Sequence, residues 1–285
     1  MSIGYVGTRG RNLILYYNLN GNVREPGTNV ACPNGRTTTP CYSNGGRVNV
    51  RDDIGESQYD SLQVQLERRF SGGWQYRAAY TWSKTKDNGE GAFDSVADQN
   101  LNFVEPFATS RLDFPHVLSF GTVYDIPFGR GRTWGSDIPR ALDAVIGGWQ
   151  INGIFRASSG QTFDVRRDGV RVNLIGDPYT GNNRQYLNRA AFQDAPAGRF
   201  GNLERNGLRG PSNWQVNFGL TKNFAVYETW KIQFRAEFFN LFNRPQLTPP
   251  STDLNNTSSV NGFGVINSTY GFTNRQIQFG LRLEF

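Results

Sequence analysis

The chain is poor in the residues that catalysis and metal binding draw on. Its 285 residues include one histidine, two cysteines and one methionine. A single histidine cannot form a His cluster, and Cys32 and Cys41 without further ligands fall short of a tetrahedral zinc site. No stretch approaches the roughly 18 consecutive apolar residues of a transmembrane helix, so that route across a membrane is excluded. Mean hydropathy is −0.54. Met1 to Leu15 holds no basic start, apolar stretch or cleavage site of a secretory leader. No dinucleotide fingerprint or P-loop occurs, and Gly129-Arg130-Gly131-Arg132 reads as a turn.

What the chain has is aromatic residues, glycine and alternation. Phe, Tyr and Trp make up 14% of it, beside 33 glycines. The final segment, Arg275 to Phe285, places Ile277, Phe279, Leu281, Leu283 and Phe285 on one face of an extended strand. Gln276, Gln278, Gly280, Arg282 and Glu284 fall on the other. Period two over about 10 residues is what a tilted strand needs to cross a bilayer, apolar side chains toward lipid and polar ones toward a lumen. Only alternate residues meet lipid, so a hydrophilic average does not exclude a membrane-spanning barrel.

The same alternation recurs along the chain. Ser57 to Phe70 carries Leu62, Val64, Leu66 and Phe70 on one face, with Arg68 as the misfit near the strand end, where a long side chain can snorkel. After Ser71-Gly72-Gly73, Trp74, Tyr76, Ala78, Tyr80 and Trp82 line the next strand. His116 to Phe128, Trp149 to Ala157, Trp214 to Phe224 and Trp230 to Phe239 repeat the pattern. With a first strand near Ile3 and a last one ending at Phe285, the count is about eight. Short or moderate links (Ser71 to Gly73, Gly129 to Gly148, Ala225 to Thr229) alternate with long polar ones (Asn18 to Glu56, Thr85 to Leu112, Asp164 to Asn213, Asn243 to Thr273). Outer-membrane barrels alternate in this way, with short periplasmic turns and long extracellular loops. The fold expected is all-β, an antiparallel transmembrane β-barrel. Because Ile3, Tyr5 and Gly7 already read as strand with no leader before them, the true beginning is expected upstream.

Several runs carry a family resemblance. Leu66-Glu67-Arg68-Arg69-Phe70, Tyr80-Thr81-Trp82-Ser83-Lys84 and Gly147-Gly148-Trp149-Gln150-Ile151-Asn152-Gly153 resemble the C-terminal part of Oar-like TonB-dependent outer-membrane transporters. So do Phe200-Gly201-Asn202, Arg205-Asn206-Gly207-Leu208-Arg209-Gly210-Pro211 and Phe234-Arg235-Ala236-Glu237-Phe238-Phe239-Asn240-Leu241-Phe242-Asn243. The resemblance implies a 22-stranded barrel of which residues 1–285 are the C-terminal part. It also implies a plug, a TonB-contacting segment and a signal peptide, none of them present in this sequence. It further implies a cell outer membrane location in a Gram-negative bacterium, with lipid and lipopolysaccharide around the wall. The barrel-assembly machinery would read a closing strand that ends in Phe279, Leu281, Leu283 and Phe285. TonB would act through the plug on an unknown transported substrate.

Other chemistries are weaker. His116 with nearby Asp113 could form an Asp-His pair, but no second acidic pair accompanies it, and no enzymatic activity is expected. Asp87, Glu90, Asp94, Asp98 and Glu105 share a loop without the spacing of an EF-hand, so no metal or cofactor is expected. The net charge of +6 is scattered rather than gathered in a stripe, which argues against a nucleic-acid partner. Cys32 and Cys41 are a candidate disulfide if the chain is exported. Glu67, Arg69, Arg77, Arg156, Lys231, Arg235 and Glu237 are candidates for lumen- or plug-facing charges, since each must be paired or hydrated if enclosed. Arg235 and Glu237 are the preferred plug contacts; the competing reading is lateral pairing between strands. The alternative function is a small self-contained barrel with a structural or adhesive role, since eight strands can close with an interior filled by side chains.

Overall fold

The computed structural model describes residues 1–18, 49–89, 107–167, 170–195, 201–227, 230–271 and 274–285. Eight long strands form one antiparallel sheet: β1 (Ser2–Asn18), β2 (Asn49–Ser71), β3 (Trp74–Asp87), β4 (His116–Asp125), β5 (Trp149–Ser158), β6 (Asn213–Tyr227), β7 (Trp230–Phe239) and β8 (Gln276–Glu284). Spatial order follows chain order, and the short strand Ala108–Thr109 adds to the end of β3. Among the described residues β1 and β8 pair with no strand beyond the sheet, which is therefore open rather than closed.

Register turns eight alternating sequences into two continuous surfaces. Ile3 faces Val64, Val64 faces Tyr80, Tyr80 faces Leu118, Leu118 faces Ala157 and Ala157 faces Trp214. Further along, Phe218, Phe238 and Ile277 stand in one row, and Leu220, Ala236 and Phe279 in the next. Because side chains alternate across a strand, every residue in these rows points to the same side. That side is apolar and uncovered, with Phe279 68% and Leu281 77% exposed. Such a surface is a liability in water and a requirement in lipid.

Two boundaries differ from the sequence reading. The long link expected from Asn18 to Glu56 is in part strand, since β2 begins at Asn49 and pairs with β1 up to Asn18 opposite Asn49. Its polar residues obscured the alternation because that stretch stands beyond the level where the other strands end. The strand expected from His116 to Phe128 stops at Asp125, before Pro127, which has no N–H to donate to a ladder. The Gly129 to Gly148 link holds a short helix, α1 (Arg140–Ile146). At the β2–β3 turn, Gly72 and Gly73 both have positive φ, 59° and 79°, which suits the twist of a tight hairpin.

The buried apolar core lies outside the sheet. Among the described residues the long strands contribute only Leu15 and Ala236 to it. Phe163, Val165, Val172, Leu187, Ala191, Phe192, Leu203, Leu208, Leu254 and Phe263 form one cluster within the two long segments after β5 and β7. These segments, read from sequence as polar loops, fold into a compact layer at the end of the sheet opposite the short turns.

Candidate functional site

The layer is fastened to the sheet by the run Arg205-Asn206-Gly207-Leu208-Arg209-Gly210-Pro211. Arg205 donates from Nη2 to Asp87 Oδ1 and from Nη1 to Asp87 O, both at 2.6 Å, with both side chains buried. Asn206, with φ of 53°, donates from Nδ2 to Thr109 O at 3.0 Å. Arg209 donates from Nη2 to Asp113 Oδ2 at 2.7 Å and from Nη1 to Asp113 O at 2.7 Å and Gly160 O at 2.9 Å. Asp113 is fully buried, and its Oδ1 also accepts from Thr85 N at 2.6 Å. The planar guanidinium fork suits such shared contacts, which a lysine could not reproduce. Glycine is required where the layer meets itself: a Cβ on Gly160 would overlap the Gly210 backbone.

Two further resemblance runs are fasteners as well. A Cβ on Gly201 would overlap the Val172 backbone. Next to it, Asn202 accepts from Leu174 N at 2.6 Å and donates to Leu174 O at 3.1 Å, acting as a side-chain strand partner. Asn240 and Asn243 take positive φ, 51° and 52°, where β7 turns out of the sheet. Asn240 N donates to Asn217 Oδ1 at 3.0 Å, and its Nδ2 donates to Arg244 O at 2.8 Å. Asn tolerates this left-handed region better than other side chains.

Inside the layer Asp164 accepts from Arg166 Nε at 2.9 Å and Nη2 at 3.1 Å. Burial pushes its carboxyl up, but Arg166, aided by Arg171 and a backbone donor at Asn206, outweighs that and holds it below the usual carboxylate range. Burial together with neighbouring Tyr179 pushes the Tyr186 hydroxyl up to about 12. It therefore stays a donor, to Arg209 O at 3.1 Å.

The polar side of the sheet receives most of the charges singled out from sequence. Glu67 stands opposite Arg77, Arg156 opposite Ser119 and Gln215, and Arg235 between Thr221 and Gly280. Lys231 lies opposite Glu284. Arg235 and Glu237 are neighbours on β7, 4.0 Å apart and partly exposed. Arg77 reaches the Gln65 amide at 3.1 Å from both Nε and Nη2. Arg69 lies in the register shift between Arg68 and Ser71. Misfit Arg68 lays its guanidinium 5.2 Å over Trp74 and donates to Ser71 O. On the polar side, Val117, Ser119, Ile154, Arg156, Asn213 and Gln246 line a groove of about 400 Å³.

The remaining candidates separate. His116 bonds through Nδ1 to the Tyr80 hydroxyl at 2.7 Å and stacks on its ring, while Asp113 is committed to Arg209 and Thr85. The Asp-His pair considered from sequence is not assembled. Of the acidic loop, Asp87 serves Arg205; Glu90, Asp94, Asp98 and Glu105 lie outside the described residues, as do Cys32 and Cys41. Ile277, Phe279, Leu281 and Leu283 lie in the apolar rows, and Phe285 packs 5.9 Å from Trp230. Sequence reasoning misses Arg205, Arg209, Asp87 and Asp113 as fasteners. The signal that could have found the first two was the density of Arg, Asn and Gly in one short run.

An open antiparallel sheet with one lipid-compatible face, short turns at one end and a folded loop layer at the other defines a class: a membrane β-barrel wall. The family model for the outer membrane beta barrel domain matches residues 1–278, and the chain belongs to that family. It is located in the cell outer membrane. It is 28% identical over 193 residues to the TonB-dependent transporter Oar of Myxococcus xanthus, a match covering 65% of this chain and 15% of that protein. The outer membrane transporter YddB from Escherichia coli superposes with a TM-score of 0.43 at 10% identity, over 99% of this chain and 29% of that one. The chain thus spans a small part of the transporters it matches.

Proposed function

We propose that this chain is the C-terminal section of a TonB-dependent transporter barrel, in which the strands form wall and the loop layer forms the outward ligand-contacting surface. The carrying observation is the open sheet. In lipid, every backbone N–H and C=O needs a partner, so the outer edges of β1 and β8 call for further strands. A plug held by the same protein would meet the polar face, with Arg235 and Glu237 as its ion-pair contacts and the Arg156 groove beneath the loop layer as a polar recess. TonB would supply the energy through that plug, and the aromatic end at Phe285 would guide assembly.

The test is to express residues 1–285 alone and, separately, the product of the whole gene, and to compare heat-modifiable migration and protease resistance in outer membranes. The reading expects a compact, heat-modifiable species only for a longer product. A compact barrel from residues 1–285 alone would overturn it in favour of a small self-contained barrel with a structural or adhesive role.

A further inference from the structure

The link between β4 and β5 is built on the lipid side of the wall. Asp125 N bonds to Gly73 O at 2.8 Å, which sets this link at the same end as the β2–β3 turn, the periplasmic end of an outer-membrane barrel. Two side chains of the apolar rows reach down to α1. Trp149 Nε1 donates to Val145 O at 2.9 Å, and Lys222 Nζ donates to Gly147 O at 2.5 Å and Asp143 O at 3.3 Å. Lys222 also lies 5.2 Å from the Trp149 ring and 5.1 Å from that of Phe224. The ammonium of a lysine among lipid-facing aromatics is thereby solvated by the carbonyls at the helix end. It holds the helix against the apolar side instead of letting it hang below the lumen.

No residue of α1 is buried. Leu142, Val145 and Ile146, at helical spacing on one face, are 44%, 65% and 37% exposed, and Trp134 in the same link is 59% exposed. Arg130, Arg132 and Arg140 in the same link are exposed, against one exposed acid, Asp137. Asp143, the acid within the helix, is turned inward onto Arg130 N at 2.8 Å. We infer that this link is an interfacial foot: Trp134, Leu142, Val145 and Ile146 enter the periplasmic leaflet, and Arg130, Arg132 and Arg140 engage its anionic phospholipid headgroups. The occupant follows from continuity, because the foot extends the same apolar rows that face lipid, and from charge. Apolar and indole groups with a basic rim are the composition that settles at a membrane interface.

The test uses the product of the whole gene in vesicles of phosphatidylethanolamine and phosphatidylglycerol. A spin label is attached through Val145→Cys, and in a second sample through Phe279→Cys, with Cys32→Ser and Cys41→Ser in both. Both labels are expected to be more accessible to oxygen than to a water-soluble nickel chelate. Replacing Arg130, Arg132 and Arg140 by glutamine should raise nickel access at position 145 by about fivefold for each arginine that contributes, and leave position 279 unchanged. A label that is wet at 145 and dry at 279 overturns the foot alone; wet at both overturns the lipid-facing assignment with it. If the Val145→Cys chain does not assemble, Trp134 provides the second measurement. Fluorescence that disappears in Trp134→Phe should be quenched by brominated phospholipid, and an unquenched signal overturns the proposal.

Discussion

Replacing Arg209 by methionine should loosen the loop layer from the wall while leaving the wall assembled. The substitution keeps most of the apolar stem and removes the guanidinium that serves Asp113 Oδ2, Asp113 O and Gly160 O. Asp113 is fully buried, so it is left as an enclosed carboxylate with Thr85 N as its remaining named donor. Breaking a buried pair from one side costs roughly 3–5 kcal/mol. Arg209 is itself 31% exposed, so solvent already weakens the pair, and about 2–3 kcal/mol is the working figure. At 1.4 kcal/mol per decade this is a rise of roughly 30- to 150-fold in the opening constant of the layer. Hydrogen exchange reads it directly at Gly210 N, which donates to Gln161 O, and across the pair of Phe163 with Leu208. Arg167→Met, which removes an exposed pair with Asp194, is the control and should change protection by less than about fivefold. If protection at Gly210 and Leu208 is unchanged in Arg209→Met, or falls equally in the control, the fastening role is refuted.

Leu187 has no exposed surface in the middle of the layer's core; Leu187→Ala should cost about 2–5 kcal/mol there, seen as lost protection of the layer with unchanged heat-modifiability of the barrel. The Asp164 carboxyl is held below its ordinary value by Arg166 and Arg171, so its contribution is complete above the unfolded carboxylate pKa of about 4 and is lost as pH falls through the lower folded value. Near-UV dichroism from the Phe192–Phe263 and Tyr179–Tyr186 ring pairs should therefore hold from neutral pH to about pH 4 and decline below it. Asp164→Asn should flatten that acid limb, and an unaltered limb would count against the assignment.

The wall was readable because lipid imposes period two on each strand separately. Ile277, Phe279, Leu281 and Leu283 announce their face without reference to any partner, and the register then aligns them with Phe238, Ala236, Phe234 and Ile232. The loop layer was not readable for a physical reason. Val165, Val172, Leu187, Leu203, Leu208, Leu254 and Phe263 are sparse, follow no helical or strand period, and are gathered by turns whose geometry depends on Asn, Gly and backbone contacts rather than on a repeat. The fasteners were hidden in the same way. Asp87 and Asp113 gain their meaning only from arginines far along the chain, and such pairs leave no local trace. Lys222 breaks the alternation of β6 just as Arg68 breaks that of β2, and each misfit donates to a backbone carbonyl, Gly147 O for Lys222 and Ser71 O for Arg68.

The ladder of β1 with β2 outlasts its neighbours. β3 stays with β2 up to Asp87 opposite Ser57, and beyond that level β1 and β2 remain paired with each other as far as Asn18 and Asn49. At about 3.3 Å per residue the extra length along the strand is about 26 Å, and a tilt near 45° leaves about 18 Å of height. This is a little over half the apolar thickness of the membrane, about 30 Å. Torque applied at the far end of that ladder acts on the wall through a lever a little over half as long as the apolar core of the bilayer is thick.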